Sequence, residues 1–270
     1  MERFFFNQDL LPLARDKSTF LFHPHTARTG GRTFREKVLS QVYGAERVYC
    51  RQHVPDVKPW KILTGADLRD FNAYTDLTNF VPLHLSRPLV GVALLRDPLY
   101  RAVSLYWFIR RKKDHRHYAH AQQYGLEDFY HVAPADNPVY FNNVQCRRIC
   151  GTPDAAQALA SLPTHYIAAG FTNHLADFTR ELSAAFGWPA LELETKTADN
   201  SRYDAQITPS FRKLILSQNA HDRAMYDAVV AGRVPEARHE LVSAIQSLPA
   251  HAKELAARAR RKLTRVLAPK

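Results

Sequence analysis

The sequence predicts an α/β fold: a central, mainly parallel sheet flanked by helices, with a helix-rich C-terminal part. Three observations lead there. Apolar runs without polar alternation, Leu89–Leu95 above all, read as strands covered on both faces. These runs alternate with stretches of helical period, which is the signature of crossover connections. From Pro209 to Val266 the chain then reads almost entirely as helix.

Ser18–Phe22 is a short buried strand by its run of Phe20, Leu21 and Phe22. A polar loop follows, and then a helix with Phe34, Val38, Leu39 and Val42 on one face, stopped by Gly44. Lys61–Leu63 and Leu89–Leu95 are the next strands. After Asp97-Pro98 comes a strong helix: proline suits its first turn, and Leu99, Val103, Tyr106 and Trp107 form an apolar stripe. Leu126–Val132, Val139–Cys150, Ala155–Leu162 and Leu175–Phe186 are further helices, the last ended by Gly187-Trp188-Pro189. The final helical region breaks near Gly232 and Pro249. One domain over residues 1–248 and a basic amphipathic tail over 249–270 are expected.

With 270 residues the chain is long enough to bury a core without staples. Its 37 Lys+Arg against 26 Asp+Glu leave a net charge of +11, which draws anions without naming them. Three cysteines, Cys50, Cys146 and Cys150, are too few for a disulfide framework or a zinc site, so reduced thiols are expected. The first residues lack the apolar core and small-residue cleavage site of a signal peptide, and no apolar stretch approaches the ~20 residues that span a bilayer. A cytoplasmic location is expected. No helix-turn-helix, zinc finger or ribonucleoprotein motif is present, so nucleic acid is not the expected ligand.

The segment Pro24-His25-Thr26-Ala27-Arg28-Thr29-Gly30-Gly31-Arg32-Thr33-Phe34 lies between a strand and a helix. Two glycines let the backbone turn tightly, and free N–H groups at the helix start form an anion site. Arg28, Arg32 and the hydroxyls of Thr29 and Thr33 add charge and donors. The pattern is a phosphate cradle, although it lacks the Gly-x-x-x-x-Gly-Lys-Ser/Thr of a Walker A loop. The plain alternative is a basic Gly-Gly turn. In the second segment, Leu94-Leu95-Arg96-Asp97-Pro98-Leu99-Tyr100-Arg101-Ala102-Val103-Ser104-Leu105-Tyr106, Arg96 ends a buried strand where ligand crevices open, and Ser104 lies two turns into the next helix. A cation and a hydroxyl there suit a second phosphate; a structural ion pair of Arg96 with a carboxylate is the alternative.

These residues resemble a family. A strand–(Pro)-Lys-Thr-Gly-Gly-Thr–helix followed by Leu-Arg-Asp-Pro-x-x-Arg-x-x-Ser-x-Tyr is the pattern of carbohydrate sulfotransferases of the heparan/uronyl 2-O and 6-O type. The Leu94–Tyr106 match is close, and Gly30-Gly31-Arg32-Thr33 matches more loosely. Asn142–Arg147, Ile167–Leu182, Asn200-Ser201 and Asp222–Tyr226 resemble later family regions. The resemblance implies a P-loop-kinase-like sandwich that uses 3′-phosphoadenosine 5′-phosphosulfate (PAPS) and releases 3′-phosphoadenosine 5′-phosphate (PAP). It implies that Arg28, Thr29, Gly30, Gly31, Arg32, Thr33 and Phe34 hold the 5′-phosphosulfate, and that Arg96 and Ser104 hold the 3′-phosphate. The acceptor would be a carbohydrate or glycolipid hydroxyl.

The chain departs from that pattern twice. Arg28 stands where the family has the lysine that stabilises charge on the bridging oxygen; it keeps the charge but is larger and planar. The family's Gly-His is replaced near Thr64-Gly65-Ala66-Asp67, so Asp67, His84 and His53 are the candidate bases for the acceptor hydroxyl. No metal is implied, because sulfuryl transfer places one negative charge on the moving group. A non-catalytic PAP- or polyanion-binding protein on the same fold and a small-molecule kinase remain the alternatives. Arg110–His117 is either a solvated helix end or a patch for an anionic acceptor. The tail His251–Lys270 either lies on an anionic membrane, making the protein peripheral to the inner membrane, or is a packed or disordered basic helix.

Overall fold

A computed structural model of the protein describes residues 4–50, 68–76, 85, 87–191, 193 and 200–236. The chain divides into two compact units, residues 1–235 and 236–270, and the description concerns the first. The expected strand Lys61–Leu63 and the expected tail boundary at 248/249 lie outside the described residues.

The fold is α/β with a six-stranded sheet: β1 (Phe5–Phe6), β2 (Phe20–Pro24), β3 (Val48–Tyr49), β4 (Ala73–Asp76), β5 (Leu89–Leu95) and β6 (Tyr166–Phe171). Their order across the sheet is β1-β6-β5-β2-β4-β3. All neighbours run parallel except β1, which lies antiparallel on β6. From β2 the chain turns to the β4–β3 side, and from β5 it crosses to β6 on the other. The switch in direction between β2 and β5 opens a crevice at their carboxyl ends, the place where open parallel sheets bind ligands.

β5 is buried from Val90 to Leu95, as its unbroken apolar run demands of a strand covered on both faces. On one face Leu21, Val90, Val92 and Leu94 pack with Phe34, Val38 and Leu39 of the helical segment 31–43 and with Phe178 and Leu182 of helix Leu175–Phe186. On the other, Ala93, Leu95, Ala169 and Phe171 meet Ile149, Ala158, Leu162 and Met225 from three more helices. A separate helical cluster builds on Leu99, Val103, Tyr106 and Ile109 of helix Pro98–Arg111, with Phe129, Phe141 and Phe211 against them.

Three expected elements take a different form. The strand read over Ser18–Phe22 runs from Phe20 to Pro24, because Ser18 and Thr19 are taken up by a turn on Asp16 and Leu13. The helix read over Val139–Cys150 is two, Pro138–Phe141 and Val144–Cys150, parted at Asn143, whose φ of 50° no helix interior accommodates. The helix after Phe34 begins at Gly31 and is π-wound over Phe34–Leu39. Helix Leu175–Phe186 matches its expected bounds and ends at Gly187 with φ 66°, a left-handed cap that glycine adopts without strain. Among the described residues no helix is long and apolar enough to cross a membrane.

Candidate functional site

The β2 side of the crevice is built by its own backbone. The His25 N–H donates to the Asp76 carbonyl at 2.9 Å, carrying the parallel ladder one residue beyond β2. The chain then turns over Thr26–Gly30, where the Thr29 N–H and hydroxyl both donate to the Thr26 carbonyl, at 3.3 and 2.9 Å. Two residues are left-handed: Gly30 at φ 86° and Arg28 at φ 73°. For glycine this is free; for arginine it costs about 1–2 kcal/mol, and such outliers gather at ligand sites. Gly31 is required for another reason, since a Cβ there would run into the His25 ring. The helical segment starting at Gly31 leaves the N–H groups of Gly31, Arg32 and Thr33 without intrahelical acceptors, pointing back over the loop as donors for an anion.

The β5 side is held by side chains from far along the chain. The Arg96 N–H donates to Gln145 Oε1 at 2.9 Å and the Arg96 carbonyl accepts from Gln145 Nε2 at 2.8 Å, a side-chain amide standing in for a strand neighbour. Gln145 is in turn fixed by the buried carboxylate of Asp222, which accepts from the Gln145 and Cys146 N–H groups at 3.0 and 2.8 Å and so caps helix Val144–Cys150 from another helix. Asp97 caps its own helix through the Leu99 N–H at 2.8 Å and pairs with Arg223 at 2.7 Å.

The two sides touch through three of the expected residues. Arg96 donates from Nη1 to the Arg28 carbonyl at 3.2 Å and from Nη2 to Asn200 Oδ1 at 2.7 Å. Arg28 donates from Nε to Ser104 Oγ at 3.1 Å, and its guanidinium lies 5.1 Å over the Phe108 ring. Arg28, Arg96 and Ser104 therefore form one connected group at the switch point. The Arg28 head rests beside Ser104, the hydroxyl expected on the 3′-phosphate. Its length and its contact with Phe108 explain why it reaches the helix.

Burial holds both histidines of β2 and its loop neutral, and for His25 the surrounding cations add to it. His23 is fully buried, its Nδ1–H donating to the Val92 carbonyl at 2.8 Å, and burial lowers it to about 4. His25 falls to about 3, first through burial and then through His23, Arg35, Arg148 and Arg32. Arg101 is buried in helix Pro98–Arg111; its Nη2 donates to the Phe141 carbonyl at 2.9 Å, while its Nε and Nη1 have no hydrogen-bond partner among the described residues. Burial pushes the Tyr140 phenol up, and Arg101, Arg148 and Arg28 pull it back, so three guanidiniums act on one ring hydroxyl. Asp76, buried at the end of β4 beside β2, interacts favourably with Arg148.

Of the other expected site residues, Gly30 and Gly31 form the turn, while Arg32 and Thr33 are exposed on the first helical turn. The Thr29 hydroxyl is engaged within the loop. Phe34 packs its ring in the core and donates its N–H to the Gly30 carbonyl at 3.0 Å, so it offers a ligand neither group. His53, Asp67 and His84 lie outside the described residues. Asp76, His25 and Arg101 were missed as site residues. Asp76 ends a strand too short to recognise, His25 passed as part of the loop, and Arg101 looked like one more basic residue on a helix. At helical spacing Arg101 falls on the face opposite the stripe of Leu99, Val103, Tyr106 and Trp107, so nothing local marked it as buried. Compared with known proteins, the chain matches no family model, and a search of curated proteins returns no match.

Proposed function

We propose that the chain is a PAPS-dependent sulfotransferase that moves a sulfuryl group onto a hydroxyl of a carbohydrate or glycolipid acceptor, on a P-loop-kinase-like α/β domain. One observation carries the reading: Arg28, Arg96 and Ser104, drawn from two motifs 68 and 76 residues apart, meet at the crevice between β2 and β5. A donor with two separate phosphates needs two anion sites side by side. The first-turn N–H groups of Gly31, Arg32 and Thr33 supply one, and Arg96 with Ser104 supplies the other.

In the reaction the acceptor oxygen bonds to sulfur as the bond from sulfur to the bridging oxygen of PAP breaks. Arg28, turned from Ser104 to that oxygen, stabilises the charge that grows there. The acceptor's proton needs a base, and Asp76 joins Asp67, His84 and His53 as a candidate. His25 is a poor one, because a group that protonates only near pH 3 draws protons weakly at neutral pH. Arg101 and Arg148, whose charges act on Tyr140, favour an acceptor that carries negative charge.

A second reading keeps the donor site without the transfer. The observation in its favour is the Arg28 head resting on Ser104 and Phe108. Incubation with 35S-labelled PAPS and a panel of uronic-acid-containing glycans and glycolipids separates the two. Label on an acceptor, lost in Arg28→Ala and in Asp76→Asn, supports transfer. PAP binding without label on any acceptor leaves the binding protein, and phosphate transfer from ATP would replace both with a kinase.

A further inference from the structure

The loop and short helix after helix Pro98–Arg111 carry three histidines in the pattern His115-x-His117-x-x-His120. His117 precedes the first residue of helix Tyr118–Gln123, and His120 lies three residues on, which brings both side chains to one face. Asp136 arrives from the end of helix Leu126–Asp136. One ligand atom from each of His117, His120 and Asp136 lies within 4.8 Å of the other two. His120 Nδ1 is 3.6 Å from Asp136 Oδ2, close to the ligand-to-ligand edge of a tetrahedral site with bonds of about 2.0–2.1 Å.

Two further features separate this cluster from a chance grouping of surface side chains. His117 is 2% exposed, and its Nε2 is buried without a hydrogen-bond partner among the described residues, which is costly for a polar atom unless something fills its place. His120 Nδ1 likewise makes no hydrogen bond. The third histidine supports the first: its Nδ1 accepts from the His117 N–H at 3.2 Å and its Nε2 pairs with the Tyr140 hydroxyl at 3.1 Å, so the loop carrying His117 is held in place from behind.

We propose that His117, His120 and Asp136 bind one divalent transition-metal ion of the zinc class, with water or an outside ligand at a fourth position. Two neutral imidazoles and one carboxylate suit zinc and its first-row neighbours rather than magnesium or calcium, which take oxygen ligands. The carboxylate supplies the one negative charge in a neighbourhood that also holds Arg116. The ion would tie helix Tyr118–Gln123 to the end of helix Leu126–Asp136, a few residues before Tyr140 and Phe141. Phe141 packs against the His117 ring at 5.1 Å and gives its carbonyl to Arg101. The metal therefore braces the wall that positions Arg101. The site is independent of the sulfotransferase reading and stands or falls alone.

The test uses the full chain without a histidine tag, stripped of metal, titrated with Zn2+ against a chromophoric chelator. Calcium and magnesium serve as controls. Because buried His117 is a risk to folding, the variants are His120→Ala and Asp136→Asn, with His174→Ala as a histidine change elsewhere. The expected result is one Zn2+ per chain, a midpoint of unfolding raised by Zn2+ but not by Mg2+, and binding weakened at least about 100-fold in both cluster variants, since even outer-shell partners are worth 10–100-fold. X-ray absorption should show nitrogen and oxygen ligands near 2.0–2.1 Å. No stoichiometric binding, or binding unchanged in both cluster variants or equally reduced by His174→Ala, overturns the site and leaves His120 and Asp136 as a surface contact without a metal.

Discussion

The ends of β2 and β5 lie side by side and each presents an arginine to the same crevice, yet they are held by opposite means. The β2 end is a local device: a parallel ladder carried one residue further, a turn closed by Thr29 on Thr26, and two left-handed residues. The β5 end is braced at long range, by Gln145 on the Arg96 backbone, Asp222 behind Gln145, Asn200 on the guanidinium and Arg223 on Asp97. A loop proposed to wrap around phosphate gains from backbone donors it carries itself. A single cation that must stand at a fixed point needs supports from several elements.

The difference can be broken open by substitution, and the largest effect is expected at the distant brace. Asp222→Ala removes a buried carboxylate from two N–H groups at the start of helix Val144–Cys150. It should cost about 3 kcal/mol and lower the unfolding midpoint by about 6–12 °C. A calorimetric scan reads this directly, and a loss of under about 1 kcal/mol would mean that water replaces Asp222 without harm.

Next in size is pH. The unfolded chain protonates His23 near 6.5, whereas the folded chain refuses that proton until about 4. The unfolded state thus binds more protons within this window, so stability is full above pH 6.5 and falls as pH drops toward 4. The slope is about 1.4 kcal/mol per pH unit, or about 2 kcal/mol between pH 6.5 and 5. Urea unfolding at both pH values, on the wild type and on His23→Gln, checks it: the variant should show the shallower dependence, and equal slopes would assign the effect to other groups.

The local device should respond more weakly. A Cβ at Gly30 meets only ordinary contacts at 3.5 Å and beyond, so Gly30→Ala reports the left-handed backbone alone, about 1–2 kcal/mol. Thr29→Val loses a single buried hydroxyl bond and should cost about 1 kcal/mol. Chemical denaturation of the two variants ranks them. A Thr29 effect larger than that of Asp222→Ala would reverse the contrast between the two strand ends.

The same contrast explains what the sequence could reveal. The turn after β2 was legible because glycines, threonines and two arginines fall together within a few positions between a strand and a helix. The buried run Leu89–Leu95 and the stripe from Leu99 to Trp107 announced their elements in the same way. Gln145, Asn200 and Asp222 came to notice only through loose resemblance, because nothing local tells that residues 49 and 104 positions away will gather around Arg96, with Asp222 behind one of them. β4 stayed hidden because four residues, Ala73–Asp76, are too few to show a period, and with it went Asp76. The break at Asn142-Asn143 was missed because the apolar spacing continues across it while the backbone does not. In the cluster at His117 the spacing was visible, but Asp136, which completes it, comes from another helix.

In the proposed donor site Arg96 and Ser104 read a 3′-phosphate. Thermal unfolding of the wild type and of Arg96→Ala with PAP, 5′-AMP or ATP tests it most directly. At about 100 times its dissociation constant a ligand stabilises by roughly 2.7 kcal/mol, a shift of about 5–10 °C for a chain of this size. Such a shift is expected with PAP alone, abolished in Arg96→Ala. Equal shifts with ATP and PAP, or a PAP shift that survives the loss of Arg96, would contradict it.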